Sequence, residues 1–589
     1  MSQSQFGLLK QRRFLPFFIT QSLGALNDNV FKNALIIMLA FKAADALPLD
    51  SSVLVNVAAI LFILPFFIFS ATAGQLAEKY EKSRSIRLIK LAEIGIMLLA
   101  IVGFYFENFY WLLFVLFLMG FQSSIFGPLK YGLLPQHLHT EELVGGNALV
   151  ETGTFLSILL GTIIGGAVVA VGGNGVLYLS LILLSVSLLG FFASKQIPHT
   201  PAIAPELTIN WNPVTETIRN FKFMRTNKTV FLSVLGISWF WFYGAVFLAQ
   251  IPNYTKSTLA GDESVATLFL TAFSIGIGIG SILCEKLSAG RVEVGLVPIG
   301  AFGLSFFGYD LYLANTSSGL EPIYNYVQFF WLEGSWRILF DATFIGIFGG
   351  LFTVPLYALV QQVGDKNHMS RLIAGLNIMN AFFMVVSGGY AILLIKNGYS
   401  IPELFLITAS INVLVAIYIF TKAPEFIFRL ITWVLINTIY RIRKNNLQVI
   451  PKHGACVLVC NHISFVDALI IAGYCKRNIR FVMHHTIFKM PLIGAFFKMA
   501  NAIPIAPAHE DKELMVSAFD KIANELENGE VVCIFPEGKI TKDGNINEFK
   551  TGIEKIVQRT PVIVVPLALK GLWGSWFSRK NGPAMTGLP

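Results

Sequence analysis

The chain runs to 589 residues, of which 54% are hydrophobic, 13% aromatic and only 13% charged. Soluble globular proteins carry about 25% charged residues, so one large soluble enzyme is excluded, as is a disordered chain with so much Phe, Leu and Ile. A polytopic membrane protein with a soluble part attached remains, and the formal net charge of +9 fits basic cytoplasmic loops rather than a nucleic-acid partner, which is not expected.

A hydrocarbon core about 30 Å thick takes about 20 apolar residues per helix. On that measure twelve membrane helices are predicted, centred near residues 30, 64, 96, 118, 157, 184, 240, 273, 302, 349, 384 and 411. No cleavable signal peptide is expected, because Lys10-Gln11-Arg12-Arg13 leads into a long helix interrupted by polar residues. Basic residues recur in alternate loops: Lys10, Arg12 and Arg13, then Lys79, Lys82, Arg84 and Arg87, then Arg219, Lys222, Arg225 and Lys228, then Lys286, Arg291, Lys366 and Arg371. The intervening loops offer little beyond Lys42, Lys256, Arg337 and Lys396. The positive-inside bias therefore predicts cytoplasmic N and C termini.

Polar residues inside the membrane are costly, so they are candidate transport residues. The first helix holds Asn27-Asp28-Asn29 and Lys32-Asn33. Asp28 and Lys32 lie one turn apart and could pair structurally, or they could line a cavity together with Asn29. The fourth helix ends Phe126-Gly-Pro128-Leu129-Lys130-Tyr131, whereas its counterpart Phe352-Thr-Val-Pro355-Leu356-Tyr357 has no lysine. Lys130 is thus placed either to meet an anionic head group or to snorkel at the interface. Glu151 is a third candidate, matched by Asn377 and Asn380 in the eleventh helix. Glu93 and Asp341 rank lower, as residues expected near helix ends.

A repeat supports this organisation. Gly74-Gln-Leu-Ala-Glu78-Lys79-Tyr-Glu-Lys-Ser-Arg84 after the second helix is echoed by Ser281-Ile-Leu-Cys-Glu285-Lys286-Leu-Ser-Ala-Gly-Arg291 after the eighth. A small residue, a Glu-Lys pair and an Arg recur at equal spacing, as in a transporter of two six-helix halves. Gly74, Glu78, Lys79, Arg84, Glu285, Lys286 and Arg291 are predicted to form conformational latches. On these residues the stretch 1–421 resembles the major facilitator superfamily, with Glu in place of that family's usual Asp. The resemblance implies a 12-helix fold.

Residues 422–450 read as a linker. Within it, PEFIFRLITWVLINTIYRIRK (424–444) carries Trp433, Tyr440, Arg441, Arg443 and Lys444 and suits an interfacial helix on anionic lipid. Beyond it, 451–589 alternates β-rich runs (455–460, 480–483, 531–535, 562–567) with helical stretches such as 512–528, which predicts a small α/β domain. Of five cysteines, Cys456 and Cys460 flank an apolar strand, and no second ligand pair has zinc spacing. Free thiols are expected and a metal is not.

Two turns of this domain carry chemistry. The first strand ends Asn461-His462-Ile463-Ser464-Phe465-Val466-Asp467. His462 in the turn and Asp467 in the first turn of a helix could meet, the carboxylate orienting the imidazole as a general base. The second turn, Phe535-Pro536-Glu537-Gly538-Lys539-Ile540-Thr541, suits a polar head group. Together with Val565-Pro566-Leu567, the two turns resemble the glycerolipid acyltransferase family, with its His-x4-Asp and Phe-Pro-Glu-Gly signatures.

That resemblance implies that His462 and Asp467 are catalytic and that Asn461, Glu537, Gly538, Lys539 and Thr541 lie at the acceptor site. The acyl donor would be an acyl–acyl-carrier-protein or coenzyme A thioester, with no metal or redox cofactor. Neither 501–507 nor Ile540 supplies the Arg that phosphomonoester-specific members use, which suits a phosphodiester acceptor. Phe-Pro-Glu-Gly-Lys-Ile-Thr resembles the 2-acylglycerophosphoethanolamine acyltransferase subgroup, which works with facilitator-type lysophospholipid transporters and is sometimes fused to one. An acyl–acyl-carrier-protein ligase, found in related fusions, is a candidate partner. The expectation is a bifunctional lysophospholipid transporter and acyltransferase of a bacterial inner membrane. Three alternatives stay open: an exporter of another amphiphile, a lysophosphatidate acceptor, and helices that serve only as an anchor.

Overall fold

The computed structural model describes residues 5–41, 51–170, 174–288, 292–314, 323–365, 368–423, 425–440, 442–443, 445–451, 454–475, 477, 479–490, 494, 497–498, 501–580 and 582. Lys42, Arg291, Lys366, Arg441 and Lys444 lie outside the described residues. Two compact units emerge, Met1–Ala423 and Pro424–Pro589.

The first unit is helical. Six long helices come first: α1 (Leu15–Phe41), α2 (Ser51–Lys79), α3 (Lys82–Tyr105), α4 (Phe109–His137), α5 (Leu143–Ala170) and α6 (Gly175–Ser194). The amphipathic α7 (Pro213–Thr226) follows, begun by Pro213 and by Asn212, whose side chain accepts from the N–H groups of Val214 and Thr215. The second six are α8 (Lys228–Thr258), α9 (Glu263–Ser288), α10 (Leu296–Leu313), α12 (Ser335–Val363), α13 (Met369–Lys396) and α14 (Ile401–Lys422), with the short α11 (Tyr326–Phe330) before α12. All twelve predicted centres fall inside these twelve long helices. Among the described residues, eleven helices are long and apolar enough to cross a membrane. α1 has the length, but the polar run from Asn27 to Asn33 lowers its apolarity.

Small residues let these helices approach closely, as in membrane bundles. A Cβ on Gly276 or Gly280 of α9 would collide with the Thr343 or Ile347 carbonyl of α12. On the outer faces Leu181, Phe302 and Leu414 are exposed, as a lipid-facing surface requires.

The second unit is built on a five-stranded parallel sheet: β1 (Cys456–Cys460), β2 (Ile479–His484), β3 (Ile503–Ile505), β4 (Val531–Ile534) and β5 (Ile563–Leu567), ordered β3-β2-β4-β1-β5. The strands alternate with α16 (Asp467–Tyr474), α17 (Lys512–Glu527) and α18 (Gly552–Arg559). Parallel strands buried on both faces need apolar residues on both, and β1 supplies them. Leu458 joins Ala468 and Ile471 of α16 on one side. Val457 joins Ile522 and Leu526 of α17 on the other. β3 is an addition to the predicted strands, since Pro504 masks it, and it pairs on one side only, where proline is tolerated.

The linker forms α15 (Glu425–Val434), continued by one turn over Leu435–Ile439, and it belongs to the second unit. Leu435 and Ile436 pack against Val466 and Ile470, while Ile431 and Val434 stay exposed.

Candidate functional site

The His462–Asp467 pair follows from where β1 stops. The strand ends at Cys460 and α16 begins at Asp467, so the intervening turn folds back over the helix start. Asp467 Oδ2 accepts three hydrogen bonds: from Ile463 N–H at 2.6 Å, from Ser464 N–H at 2.9 Å and from His462 Nδ1 at 2.8 Å. An oxygen already holding two backbone donors leaves the imidazole to donate through Nδ1–H, with the Nε2 lone pair outward. Asp467 is fully buried, whereas the His462 side chain keeps 22% exposure. Phe535 stacks on the His462 ring with centroids 4.2 Å apart.

The second turn is tied to the first. Glu537 Oε1 accepts from His462 N–H at 2.8 Å, and Oε2 accepts from the Asn547 backbone and side-chain N–H groups, each at 2.7 Å. Thr541 N–H donates to the His462 carbonyl at 3.0 Å. Gly538 has φ +65°, and a Cβ there would lie 2.8 Å from Lys550 Nζ, so only glycine fits without strain.

These bonds divide the five residues placed at the acceptor site. Gly538 and Lys539 are exposed. The other three are occupied within the protein. Asn461 braces the ends of β1 and β5, its Nδ2 donating to the Leu569 carbonyl at 3.0 Å and its Oδ1 accepting from Leu569 N–H at 2.8 Å. Thr541 Oγ1 bonds Asp543 and Gly544 N–H, and Glu537 is spent as described. Through these bonds the three side chains hold the turns in place.

The cysteines are packing groups. All five are buried thiols outside any disulfide. Burial, reinforced by the Asp467 charge, pushes the Cys460 thiol up to about 12, and burial pushes Cys533 up as well.

In the first unit, Asp28 and Lys32 do not form an ion pair. Ser123 of α4 donates to Asp28 Oδ2 at 2.7 Å instead, and Lys32 Nζ lies 5.7 Å from the Phe62 ring centroid. Asn29 donates to the Ala25 carbonyl at 2.8 Å. Glu93, expected near a helix end, sits mid-helix and buried, with Lys90 at 2.6 Å and Asn27 at 3.1 Å. Lys130 and Glu151 are brought into one cluster. Lys130 donates to Thr154 Oγ1 at 3.0 Å, and Tyr131 donates to Glu151 Oε1 at 2.5 Å. Tyr131 stacks on Tyr357 of the other half, centroids 4.8 Å apart. The Pro-Leu-Lys and Pro-Leu-Tyr correspondence sets Lys130 against Tyr357, and the stacking of the neighbouring Tyr131 on Tyr357 across the halves was not visible in it.

The first copy of the repeat bridges the halves. Arg371 Nε lies 2.8 Å from Glu78 Oε2, and its backbone N–H donates to Glu78 Oε1 at 3.2 Å. Glu216 of α7 stands 3.8 Å from Arg371 Nη1. Gly74 permits the approach, since a Cβ there would lie 2.8 Å from Ala374 Cβ and 3.0 Å from Arg371 Cα. Arg371 was read only as a loop cation. Lys79 lies over Tyr80 and Arg84 is exposed, so neither forms part of this bridge. In the second copy Glu285 approaches Gly145 of α5 and Lys286 is exposed, while Arg291 is outside the described residues.

Comparison with known proteins matches both units. Residues 15–331 fit the family model described as Major Facilitator Superfamily, and residues 441–570 fit the one described as Acyltransferase. A lysophospholipid transporter LplT of Enterobacter sp. (strain 638) is 25% identical over 359 residues, spanning 58% of this chain and 79% of its own. One of Cronobacter sakazakii (strain ATCC BAA-894) is 26% identical over 377 residues, spanning 62% and 84%. Among solved structures, the facilitator transporter FucP in the outward conformation aligns with TM-score 0.53 at 12% identity, over 70% of this chain and 99% of its own. The human organic anion transporter MFSD10 aligns with TM-score 0.54 at 13% identity, over 69% and 99%. At such identities the structural likeness speaks for the fold.

Proposed function

Because this chain belongs to the Major Facilitator Superfamily and carries a C-terminal acyltransferase domain, we propose that it recycles lysophospholipid in two coupled steps. The helical unit moves a lysophospholipid, of lysophosphatidylethanolamine type, to the cytoplasmic leaflet of a bacterial inner membrane. The second unit re-acylates it there from an acyl carrier protein or coenzyme A thioester. The printed names of the transporter relatives support the first step. A tether raises the effective concentration of the transported lipid for the enzyme, which favours joining the two activities.

The observation that carries the acylation step is the 2.8 Å His462–Asp467 contact, with Nε2 unpaired among the described residues. Nε2 takes the proton of the lysolipid hydroxyl as its oxygen attacks the thioester carbonyl. Collapse of the tetrahedral intermediate breaks the C–S bond, and the imidazolium returns its proton to the departing thiolate. Asp467 holds the ring and stabilises the imidazolium. This chemistry needs no metal or redox cofactor, and an acyl–acyl-carrier-protein ligase is the candidate source of charged donor. Ile540, where phosphomonoester-specific members carry Arg, is buried and uncharged, in keeping with a phosphodiester head group.

For transport, we assign Lys130, Glu151 and Tyr131 to the path of the head group, and the Glu78–Arg371 bridge to the closed cytoplasmic side. A buried ion pair returns little net energy because its desolvation cost offsets its attraction. Rocking the halves apart rehydrates both charges together, so such a bridge can open reversibly. His462→Ala should abolish acylation of lysophosphatidylethanolamine in membranes while spheroplasts still take up the lipid. Loss of uptake as well would sink the separation of the two activities. A preference for lysophosphatidate across a panel of head groups would overturn the acceptor assignment.

A further inference from the structure

Two histidines converge on one carboxylate in a part of the second unit that acyl transfer leaves unused. His484 closes β2, His485 opens the next turn (His485–Lys489), and Glu510 lies just before α17. The Nε2 atoms of His484 and His485 each stand 3.2 Å from the same Glu510 Oε2, and the three ligand atoms all lie within 4.8 Å of one another. Thr486 Oγ1 holds His484 Nδ1 at 2.8 Å, which turns Nε2 toward Glu510. His509 Nε2 approaches the other oxygen, Oε1, at 3.8 Å.

Charge-assisted hydrogen bonds usually measure about 2.7–2.9 Å, so these contacts are long for that purpose. They suit a metal better. Zinc sits about 2.0–2.2 Å from nitrogen and oxygen ligands, so adjacent corners of a tetrahedron lie about 3.3–3.5 Å apart. Two edges of such a tetrahedron are thus nearly in place. Two imidazoles, that of His484 oriented by the Thr486 hydroxyl, with one carboxylate, are also a donor set for first-row divalent transition ions. We propose that His484, His485 and Glu510 form a zinc-type metal site, with the fourth position left to His509 or water. The register of β2 with β3 places His484 opposite Ile505, at the carboxyl ends of the strands. His462 follows the same end of β1, so a cation here would add positive charge to the rim where anionic ligands of parallel sheets bind. The inference is independent of the acyl-transfer reading.

The test uses the full chain without affinity tag, in detergent, stripped with chelator and titrated with Zn²⁺. One equivalent should bind, and His485→Ala and Glu510→Gln should each weaken it at least about tenfold. Bound Co²⁺ should give the visible absorption of a tetrahedral site, lost in the same variants, and Mg²⁺ and Ca²⁺ should not compete. Glu510 is 41% exposed, so Glu510→Gln keeps the test valid if His485→Ala misfolds. Absence of stoichiometric Zn²⁺, or unaltered binding in Glu510→Gln, would overturn the site.

Discussion

Asp467→Asn separates the electrostatic part of the dyad from its framework. Asn can keep an oxygen where Oδ2 now receives Ile463 N–H, Ser464 N–H and His462 Nδ1–H. Its amide nitrogen then falls where Oδ1 lies, buried without a hydrogen-bond partner among the described residues. Hydrogen bonds to charged groups contribute about 1.5–3 kcal/mol and neutral ones about 0.5–1.5, so losing the charge costs roughly 1 kcal/mol per bond, about 3 kcal/mol over the three. For a unit of this size that lowers Tm by roughly 6–12 °C. The chemical step loses more. An imidazolium and a carboxylate about 4 Å apart attract by about 4 kcal/mol at an effective dielectric of 20. Without that attraction kcat should fall about a thousandfold. Initial rates with palmitoyl thioester and lysophosphatidylethanolamine, alongside thermal unfolding, measure both effects. A folded variant whose kcat stays within about tenfold of the parent would refute the general-base account.

Glu537→Gln presents an amide to the two Asn547 donors, so it should destabilise the unit by about 1–3 kcal/mol. Its kcat should drop while KM for the lysolipid holds steady; a rise in KM alone would mark Glu537 as an acceptor contact instead. Gly74→Leu places a branched side chain against Ala374 and Arg371, so lipid uptake should fall at least about tenfold with acylation of detergent-supplied lysolipid intact. Normal uptake would show that this approach is not part of the transport cycle. The thiols define a pH window. Cys460 is held neutral up to about 12, whereas an ordinary thiol ionises near 9.0, so the unfolded chain loses its proton first. Stability should therefore decline as pH rises from about 9 toward 12, and thiol alkylation at neutral pH should require denaturant. A flat unfolding midpoint across that range would contradict the burial of these groups.

What the sequence could disclose depended on how far apart the partners lie. The helices were legible because each is a long apolar run, and β1 and β4 because both faces are apolar. The meeting of His462 and Asp467 was legible because five residues form one turn and one helix start. Local spacing left Asp28 and Lys32 open between a pair and a cavity lining, and the contact of Asp28 with Ser123 on a neighbouring helix was out of its reach. The repeat pointed to Glu78 but not to its partner, since Arg371 is 293 positions away in the other half. Resemblance placed Glu537 at the acceptor site, and only the folded turns reveal its hydrogen bonds with His462 and Asn547. Cysteine spacing gave no view of His485 and Glu510, which are 25 positions apart.

The packing of Leu435 and Ile436 against α16 bears on where this enzyme can be severed. These two side chains are 6% and 3% exposed, and burying each is worth about 1.5–3 kcal/mol. A cut at residue 451 would discard them and leave a raw apolar stripe at Val466 and Ile470, on the helix that begins with Asp467. The forfeit, roughly 3–6 kcal/mol, rivals the whole stability of many domains. Anyone transplanting the enzyme onto another anchor must move the seam upstream to Pro424, because α15 and its extra turn travel with the graft.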